Sequence, residues 1–140
     1  MEFRAAVNVV IRKNGKILLG KRIGKLGNGK WALPGGKLEL GELALDGAKR
    51  ELLEETGIEA VDLRFLNVFN GPGPENHWIH FTFIADMQDA EPRLMEPDHF
   101  ERWEFFEPDK IIDLFYPHKP IIAAFMGNKD FIELVEDGTE

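Results

Sequence analysis

Three glutamates with a helical spacing are the residues of this sequence best suited to chemistry. Glu51, Glu54 and Glu55 stand at positions i, i+3 and i+4, so on a helix their side chains share one face. Like charges at this spacing destabilise a helix by about 0.2–0.5 kcal/mol per pair. A bound Mg²⁺ or Mn²⁺ removes that repulsion, because these ions take oxygen ligands and combine carboxylates with substrate phosphates. The spacing therefore favours a divalent-cation site, and the alternative is a solvated acidic face beside Lys49 and Arg50.

The residues around these glutamates predict the helix that must carry them. Its apolar periodicity covers residues 43–56, with Pro34, Gly35 and Gly36 before it and Gly57 as a C-terminal cap. A neighbouring stripe is predicted to face the core, and its members are Leu45, Ala48, Leu52 and Thr56. Gly47 costs a helix about 1 kcal/mol relative to alanine. We hypothesise that it keeps space for a large group above the carboxylates.

The remaining pattern predicts an α/β protein with a mixed sheet between helices. Strands are predicted at residues 3–12, 17–22, 31–33, 58–69, 77–87 and 100–106, with an Asn14-Gly15 hairpin turn between the first two. A glycine-rich loop covers 24–30 and lacks the Walker phosphate-binding pattern. A short helix is predicted at 108–114 and a last helix at 117–126. Residues 1–140 are expected to form a single domain.

Composition excludes several classes of function. The 140 residues include no cysteine, which excludes disulfides, thiolate metal sites and cysteine nucleophiles. The formal net charge of −8, without a lysine or arginine run, argues against a nucleic-acid polymer as partner. No apolar stretch reaches the ~18 residues of a membrane span, and the first residues lack the apolar core of a signal peptide. A cytoplasmic protein that does not bind membranes is the expectation.

Histidines and aromatic residues supply further candidates. His77 and His80 fall on opposite faces of a strand, so shared metal coordination is disfavoured. His77 and Trp78 are better placed to contact a base or phosphate, whereas His99 and His118 are expected at the surface. Flat apolar walls for a nucleobase could come from a set that equally suits a core or a dimer contact: Asn8, Phe69, Trp78, Phe81, Phe115, Tyr116 and Phe125.

Residues 36–58 resemble the signature of the Nudix hydrolases. That signature is Gly, five residues, Glu, seven residues, Arg-Glu, an aliphatic residue, any residue, Glu-Glu, any residue, Gly and an aliphatic residue. Every fixed position matches: Gly36, Glu42, Arg50, Glu51, Leu52, Glu54, Glu55, Gly57 and Ile58. A softer likeness to the small MutT-type members, some of which are homodimers, extends from about residue 5 to 106. It includes the segment 95–98 (Met-Glu-Pro-Asp), Glu101 and Trp103.

The resemblance implies a Nudix α/β/α sandwich with one long catalytic helix, and it implies roles for individual residues. Mg²⁺, with Mn²⁺ as a substitute, would be held by Gly35, Glu51, Glu54, Glu55 and, from outside the signature, Glu101. Glu51 and Glu54 are the catalytic candidates, with Glu51 activating water and Arg50 orienting a carboxylate through a bidentate pair. Glu42 is the expected partner of Arg50 or a more distant metal ligand. The predicted substrate-site residues are Gly36, Glu42, His77, Trp78 and Phe115.

The function implied is hydrolysis of a small nucleotide at a pyrophosphate bond. The first hypothesis is a pyrophosphohydrolase that converts a nucleoside triphosphate, such as 8-oxo-dGTP, dCTP or CTP, to the monophosphate and pyrophosphate. The second hypothesis is an ADP-ribose or nucleotide-sugar diphosphatase of the same fold. The third, from another class, is a non-catalytic nucleotide sensor, which the intact signature disfavours. A homodimer is an expectation from the resemblance alone.

Overall fold

The computed structural model describes residues 1–24 and 26–133 as a sheet with helices on both sides. The strands are β1 (Phe3–Lys13), β2 (Lys16–Arg22), β3 (Trp31–Ala32), β4 (Gly35–Lys37), β5 (Arg64–Pro72), β6 (His77–Asp86), β7 (Phe100–Phe106) and β8 (Phe131–Glu133). The helices are α1 (Ala44–Thr56) and α2 (Lys119–Met126), and Pro108–Lys110 and Tyr116–His118 form 3₁₀ turns. Within the described ranges, no helix is long and apolar enough to cross a membrane.

The sheet is mixed, which confirms the predicted fold class. Its strand order is β3-β2-β1-β6-β5-β8, while β4 pairs with β1 and β7 pairs with β2. β1 runs parallel to β6 over ten residue pairs, from Phe3 opposite His77 to Arg12 opposite Asp86. β1 and β2 form an antiparallel hairpin whose turn residues Asn14 and Gly15 have φ values of 52° and 78°. These left-handed values suit the Asn-Gly turn predicted from the sequence.

Alternation along β1 divides the core into two layers. Val7, Val9 and Ile11 face one side and pack with Ala48 and Leu52 of α1. Val10 faces the other side and packs with a cluster that includes Ile121 and Ile122 of α2. Because successive strand side chains point to opposite faces, one strand contributes to both layers. The result is the α/β/α arrangement expected from the sequence.

Two of the predicted elements were wrong in extent or type, and two further strands were not predicted. The strand predicted at 58–69 begins at Arg64 and continues to Pro72. The short helix predicted at 108–114 is a single 3₁₀ turn at Pro108–Lys110. β4 and β8 were not predicted, because each has only three residues and is held by long-range pairing to β1 and β5.

Candidate active site

Helix α1 presents the acidic face because its opposite face is anchored in the core. Ala48, Leu52 and Thr56 are fully buried, and the Thr56 hydroxyl donates to the Leu52 carbonyl at 2.7 Å. The predicted core role of Leu45 was wrong, since that side chain is 37% exposed near the start of the helix. Gly57 ends the helix in the left-handed conformation (φ 73°) and donates its N–H to the Leu53 carbonyl, as predicted. The anchored stripe fixes which way the glutamates point.

The two glycines before α1 allow the chain to run close to both β1 and the acidic face. β4 pairs with β1, placing Gly35 opposite Asn8 and Gly36 opposite Val7. A Cβ atom on Gly35 would lie 2.2 Å from the Val7 carbonyl oxygen, and one on Gly36 would lie 2.5 Å from the carboxyl carbon of Glu51. Only glycine leaves room for these contacts. Gly35 and Gly36, called the glycine strap below, therefore hold the backbone directly against the carboxylate of Glu51.

Arg50 organises the carboxylates around it. Its Nε and Nη2 donate to the two carboxylate oxygens of Glu42 at 2.7 and 3.0 Å, which is the bidentate pair predicted from the sequence. Its Nη1 donates to Glu51 Oε1 at 2.9 Å and to Glu54 Oε1 at 3.1 Å. The Arg50 guanidinium, with the Glu39 backbone N–H, holds the pKa of Glu42 at about 2. Arg50 thus locks Glu42 in place and touches both catalytic candidates.

The structure places Glu51 and Glu55 where negative charge is unfavourable. Burial raises the pKa of Glu55 to about 9, although the Gly35 N–H donates to its Oε1 at 2.9 Å and opposes the shift. Burial also raises the pKa of Glu51, and the hydrogen bond from Arg50 opposes that change. Two carboxyl groups crowded together in a desolvated position gain from a nearby cation, because the cation offsets both burial and mutual repulsion. Glu54 lies on the same face and is half exposed.

The donor set suits a divalent metal ion, although the side chains are not pre-arranged around one. Across residues 1–24 and 26–133, no group of three or more acidic, histidine or cysteine side chains is close enough to hold a metal ion. Arg50 explains this arrangement, because Glu51 and Glu54 both turn toward its Nη1 atom. The available ligand atoms are carboxylate oxygens, which Mg²⁺ and Mn²⁺ prefer. Glu51, Glu54 and Glu55 are the residues that would hold the ion.

A carboxylate from outside the helix also faces this site, and it is Glu96. The negative charge of Glu96 contributes to raising the pKa of both Glu51 and Glu55. Glu101, the predicted outside ligand, instead pairs with Arg102 and lies 4.0 Å from Lys21. Its role as a metal ligand stays a prediction. Glu96 belongs to the Met-Glu-Pro-Asp segment that carried part of the family resemblance, so the sequence held a signal for it.

Gly47 does not keep space for a ligand, and that hypothesis was wrong. A Cβ atom at this position would lie 2.8 Å from Leu38 Cδ1 and 2.9 Å from Glu42 Oε1. The space above Gly47 is filled by the segment that follows β4. Its role is to let Glu42 approach α1 and reach Arg50.

The structure does not bring His77 and Trp78 to the acidic face. β1 carries Asn8 opposite Gly35 on one side and opposite Thr82 of β6 on the other. His77 is five positions from Thr82, or about 16 Å along the strand. Its Nε2 bonds to Asn70 Oδ1 at 2.5 Å, and its ring packs on Phe3. The proposed contacts of His77 and Trp78 with substrate stay predictions.

Phe115, in contrast, is half-buried in a cluster with Arg22 and His118, next to Gly27 of the glycine-rich loop. The Arg22 guanidinium stacks over its ring at 4.2 Å, and the His118 ring packs edge-on against it at 5.2 Å. His118 is 5% exposed, so its predicted surface position was wrong; it lies under the start of α2 and contacts Leu33. His99 is exposed, as predicted. Burial lowers the pKa of Arg22 and the charge of Glu55 opposes this, so the guanidinium lies between the aromatic cluster and the acidic face.

Arg22 and His118 carried no sequence signal of a shared site. They are far apart in the chain, and each stands in an ordinary local pattern. β2 and the 3₁₀ turn at Tyr116–His118 bring them together.

Most of the chain is similar to proteins of one family. The family model described as NUDIX domain matches residues 1–126. "ADP-ribose pyrophosphatase" of Methanocaldococcus jannaschii is 37% identical over 127 residues, covering 89% of this chain and 74% of that protein. "RNA pyrophosphohydrolase" of Novosphingobium aromaticivorans is 26% identical over 139 residues, covering 85% and 86%. The crystal structure of the "MutT NUDIX hydrolase" of Burkholderia pseudomallei superposes with a TM-score of 0.80 at 29% identity, covering 88% of this chain and 98% of that one.

Proposed function

The chain belongs to the Nudix family and is a hydrolase of pyrophosphate bonds in nucleotide compounds, and from that premise we propose that it cleaves a nucleoside triphosphate to the monophosphate and pyrophosphate with Mg²⁺ as cofactor. The observation that carries the proposal is the acidic face of α1. Glu55 is buried there and Glu51 is half-buried, both against the glycine strap, and their raised pKa values favour pairing with a cation. Arg50 and Arg22 are positive charges that interact with these carboxylates.

A polyphosphate cannot approach four carboxylates unaided, and this explains the need for metal. When bound, Mg²⁺ would neutralise phosphate oxygens and lower the pKa of water, which are its usual contributions to phosphate-ester and anhydride hydrolysis. Glu51 is the proposed base, because it touches both the backbone of Gly36 and the Arg50 guanidinium. Arg50 holds that carboxylate in one position through its rigid bonds to Glu42.

The nucleoside would occupy the aromatic cluster next to the acidic face. Phe115 offers a flat surface, and Arg22 stacks on it while lying close enough to Glu55 for their charges to interact. An arginine between the two regions is suited to contact a phosphate through its planar donors. This arrangement supports a substrate with a base at one end and a polyphosphate at the other.

ADP-ribose is the second candidate, and the comparison with Methanocaldococcus jannaschii favours it. That relative is named an ADP-ribose pyrophosphatase and is 37% identical over most of this chain. ADP-ribose, like a nucleoside triphosphate, has a nucleoside attached to a diphosphate, so the acidic face would serve either substrate. The difference lies in what replaces the terminal phosphate.

Product analysis separates these functions. Purified protein is incubated with Mg²⁺ and single nucleotides, and products are resolved by ion-exchange chromatography. We expect a monophosphate and pyrophosphate from a nucleoside triphosphate, with activity abolished by EDTA. AMP and ribose 5-phosphate, formed faster from ADP-ribose than pyrophosphate from any triphosphate, would favour the second candidate. Nucleotide binding without any hydrolysis would instead indicate a sensor.

Two variants link the activity to the acidic face. Glu54→Gln should lose turnover while substrate still binds, because it removes a ligand charge at a half-exposed position. Glu59→Gln is the matched control and should behave as wild type, because it changes an exposed glutamate just beyond the end of the helix. Normal turnover of Glu54→Gln would refute the metal assignment. The homodimer stays a prediction that light scattering would test.

A further inference from the structure

Two buried histidines lie beside the proposed nucleoside cluster and take no part in the metal chemistry. His80 lies on β6 and His118 in the turn before α2, and they are 6% and 5% exposed. Their rings are 6.1 Å apart and nearly perpendicular. Phe69 stacks on His80, while Phe115 packs against His118. The pair is therefore enclosed by aromatic rings.

The hydrogen bonds of this pair determine where each ring carries its proton. The Leu33 backbone N–H donates to His118 Nδ1 at 3.0 Å, so that nitrogen is unprotonated and the ring proton is on Nε2. The Asn8 side-chain amide Nδ2 lies 3.0 Å from His80 Nδ1 and can only donate, so His80 has the same tautomer. Burial lowers the pKa of His80 to about 4 and that of His118 well below its ordinary value. Both rings are neutral near pH 7.

Both Nε2–H groups remain available to a ligand. Among the described residues, the fully enclosed side-chain atoms without a hydrogen-bond partner are Asn67 Oδ1, Thr82 Oγ1 and Trp103 Nε1. Neither histidine Nε2 is in this group, and neither has a hydrogen-bond partner in the described part of the chain. Among the described residues, each Nε2–H group is therefore a donor that a ligand could use.

The pair is also coupled in space to the acidic face. A Cβ atom on Gly35 would lie 2.7 Å from Asn8 Oδ1, so the amide that fixes His80 contacts the glycine strap. Gly35 in turn donates its N–H to Glu55. A nucleotide whose phosphates lie at the acidic face would therefore have its base within reach of this region.

We propose that His80 and His118 are the base-recognition pair, donating from Nε2–H to acceptor atoms on the edge of the nucleobase. The inference rests on the proposed function in taking the substrate to be a nucleotide. Two donors match a base edge that offers two adjacent acceptors. Guanine has such an edge at O6 and N7, and cytosine has one at O2 and N3. Adenine places an amino group beside its acceptor, and 8-oxoguanine carries a proton on N7, so both are disfavoured.

A pair of substitutions at His118 separates recognition from structure. In His118→Asn the side-chain oxygen can replace Nδ1 and accept from Leu33, but the Nε2 donor is lost. In His118→Gln the side-chain amide can replace the Nε2 donor, but the bond to Leu33 is lost. His80→Asn provides a second test, because it also keeps an acceptor for Asn8 while removing the donor.

Binding of dGMP, dCMP, dAMP and 8-oxo-dGMP is measured by calorimetry, with melting temperature as the structural readout. We expect wild type to bind dGMP or dCMP at least about tenfold more tightly than dAMP or 8-oxo-dGMP. His118→Asn and His80→Asn should keep their melting temperatures and lose the preference. His118→Gln should melt lower and keep the preference.

Several results would overturn the proposal: equal affinity of wild type for all four, a preserved preference in both asparagine variants, or loss of preference in His118→Gln alone. Because binding is measured with monophosphates, the test needs no hydrolysis. Tighter binding of dAMP than of dGMP and dCMP would contradict the proposed pair and would favour ADP-ribose, whose base is adenine. Failure of the proposed function appears instead as wild-type protein that releases no pyrophosphate.

Discussion

Substitution of Gly36 by alanine tests how closely the glycine strap controls Glu51. The backbone at Gly36 is held by pairing with Val7 of β1, so it cannot easily withdraw. The added Cβ would lie 2.5 Å from the carboxyl carbon of Glu51 and 2.6 Å from each carboxylate oxygen. The side chain of Glu51 must therefore move.

The size of that movement follows from the contact distance. Ordinary van der Waals contact begins at 3.4 Å, so the carboxylate must retreat by about 0.9 Å from its 2.5 Å position. Its 2.9 Å hydrogen bond to Arg50 Nη1 would then be stretched or broken. A misplacement of about 1 Å near reacting groups can cost about 10²-fold in rate. The free energy of unfolding should fall by about 1 kcal/mol, which is the low end of the usual cost of overpacking, because the displaced side chain can move.

We therefore expect Gly36→Ala to lower kcat/KM for the preferred nucleotide about 100-fold while the protein stays folded. Gly127→Ala is the matched control, because its added Cβ meets nothing nearer than 3.5 Å and its φ of −91° suits any residue. Steady-state kinetics with Mg²⁺ and thermal melting are measured for both. A Gly36→Ala enzyme within about threefold of wild type would show that the position of Glu51 is not critical.

Three further predictions concern other parts of the structure. Glu96→Gln should reduce kcat by about 10²-fold or more, because the charge of this carboxylate acts on Glu51 and Glu55, whereas Glu104→Gln, which alters an exposed residue paired with Arg102, should stay near wild type; equal effects in a kinetic assay would contradict the placement of Glu96. The unfolded chain protonates His80 near pH 6.5 and the folded protein only near pH 4, so the free energy of unfolding of wild type relative to His80→Asn should fall by about 3 kcal/mol as pH drops through that window, while the raised pKa of Glu55 acts in the opposite direction in both proteins. Urea titrations at several pH values measure the free energy of unfolding of wild type and His80→Asn. An identical pH dependence of that free energy in the two proteins would refute the prediction. Leu52→Ala, which empties a fully buried position, should cost about 2–5 kcal/mol in the same assay, and a loss below about 1 kcal/mol would mean that the core closes around the gap.

The acidic face could be predicted because it depends on local spacing. Three glutamates at i, i+3 and i+4 share a face on any α-helix, whatever the helix packs against. The Asn14-Gly15 hairpin and the Gly57 cap are local in the same sense, and the structure has both. The bidentate bond between Arg50 and Glu42 was also predicted, with the signature supplying both residues.

Local geometry therefore follows from the order of residues along the chain, and so does the reaction class that the Nudix signature carries. The tertiary structure decided which distant residues join that site. The charge of Glu96 acts on the acidic face of α1. His80, His118 and Arg22 meet only because β1 pairs in parallel with β6 and the 3₁₀ turn before α2 packs beside them. Such contacts depend on strand register and on the packing of whole elements. The spacing of residues along a single segment carries no information about either.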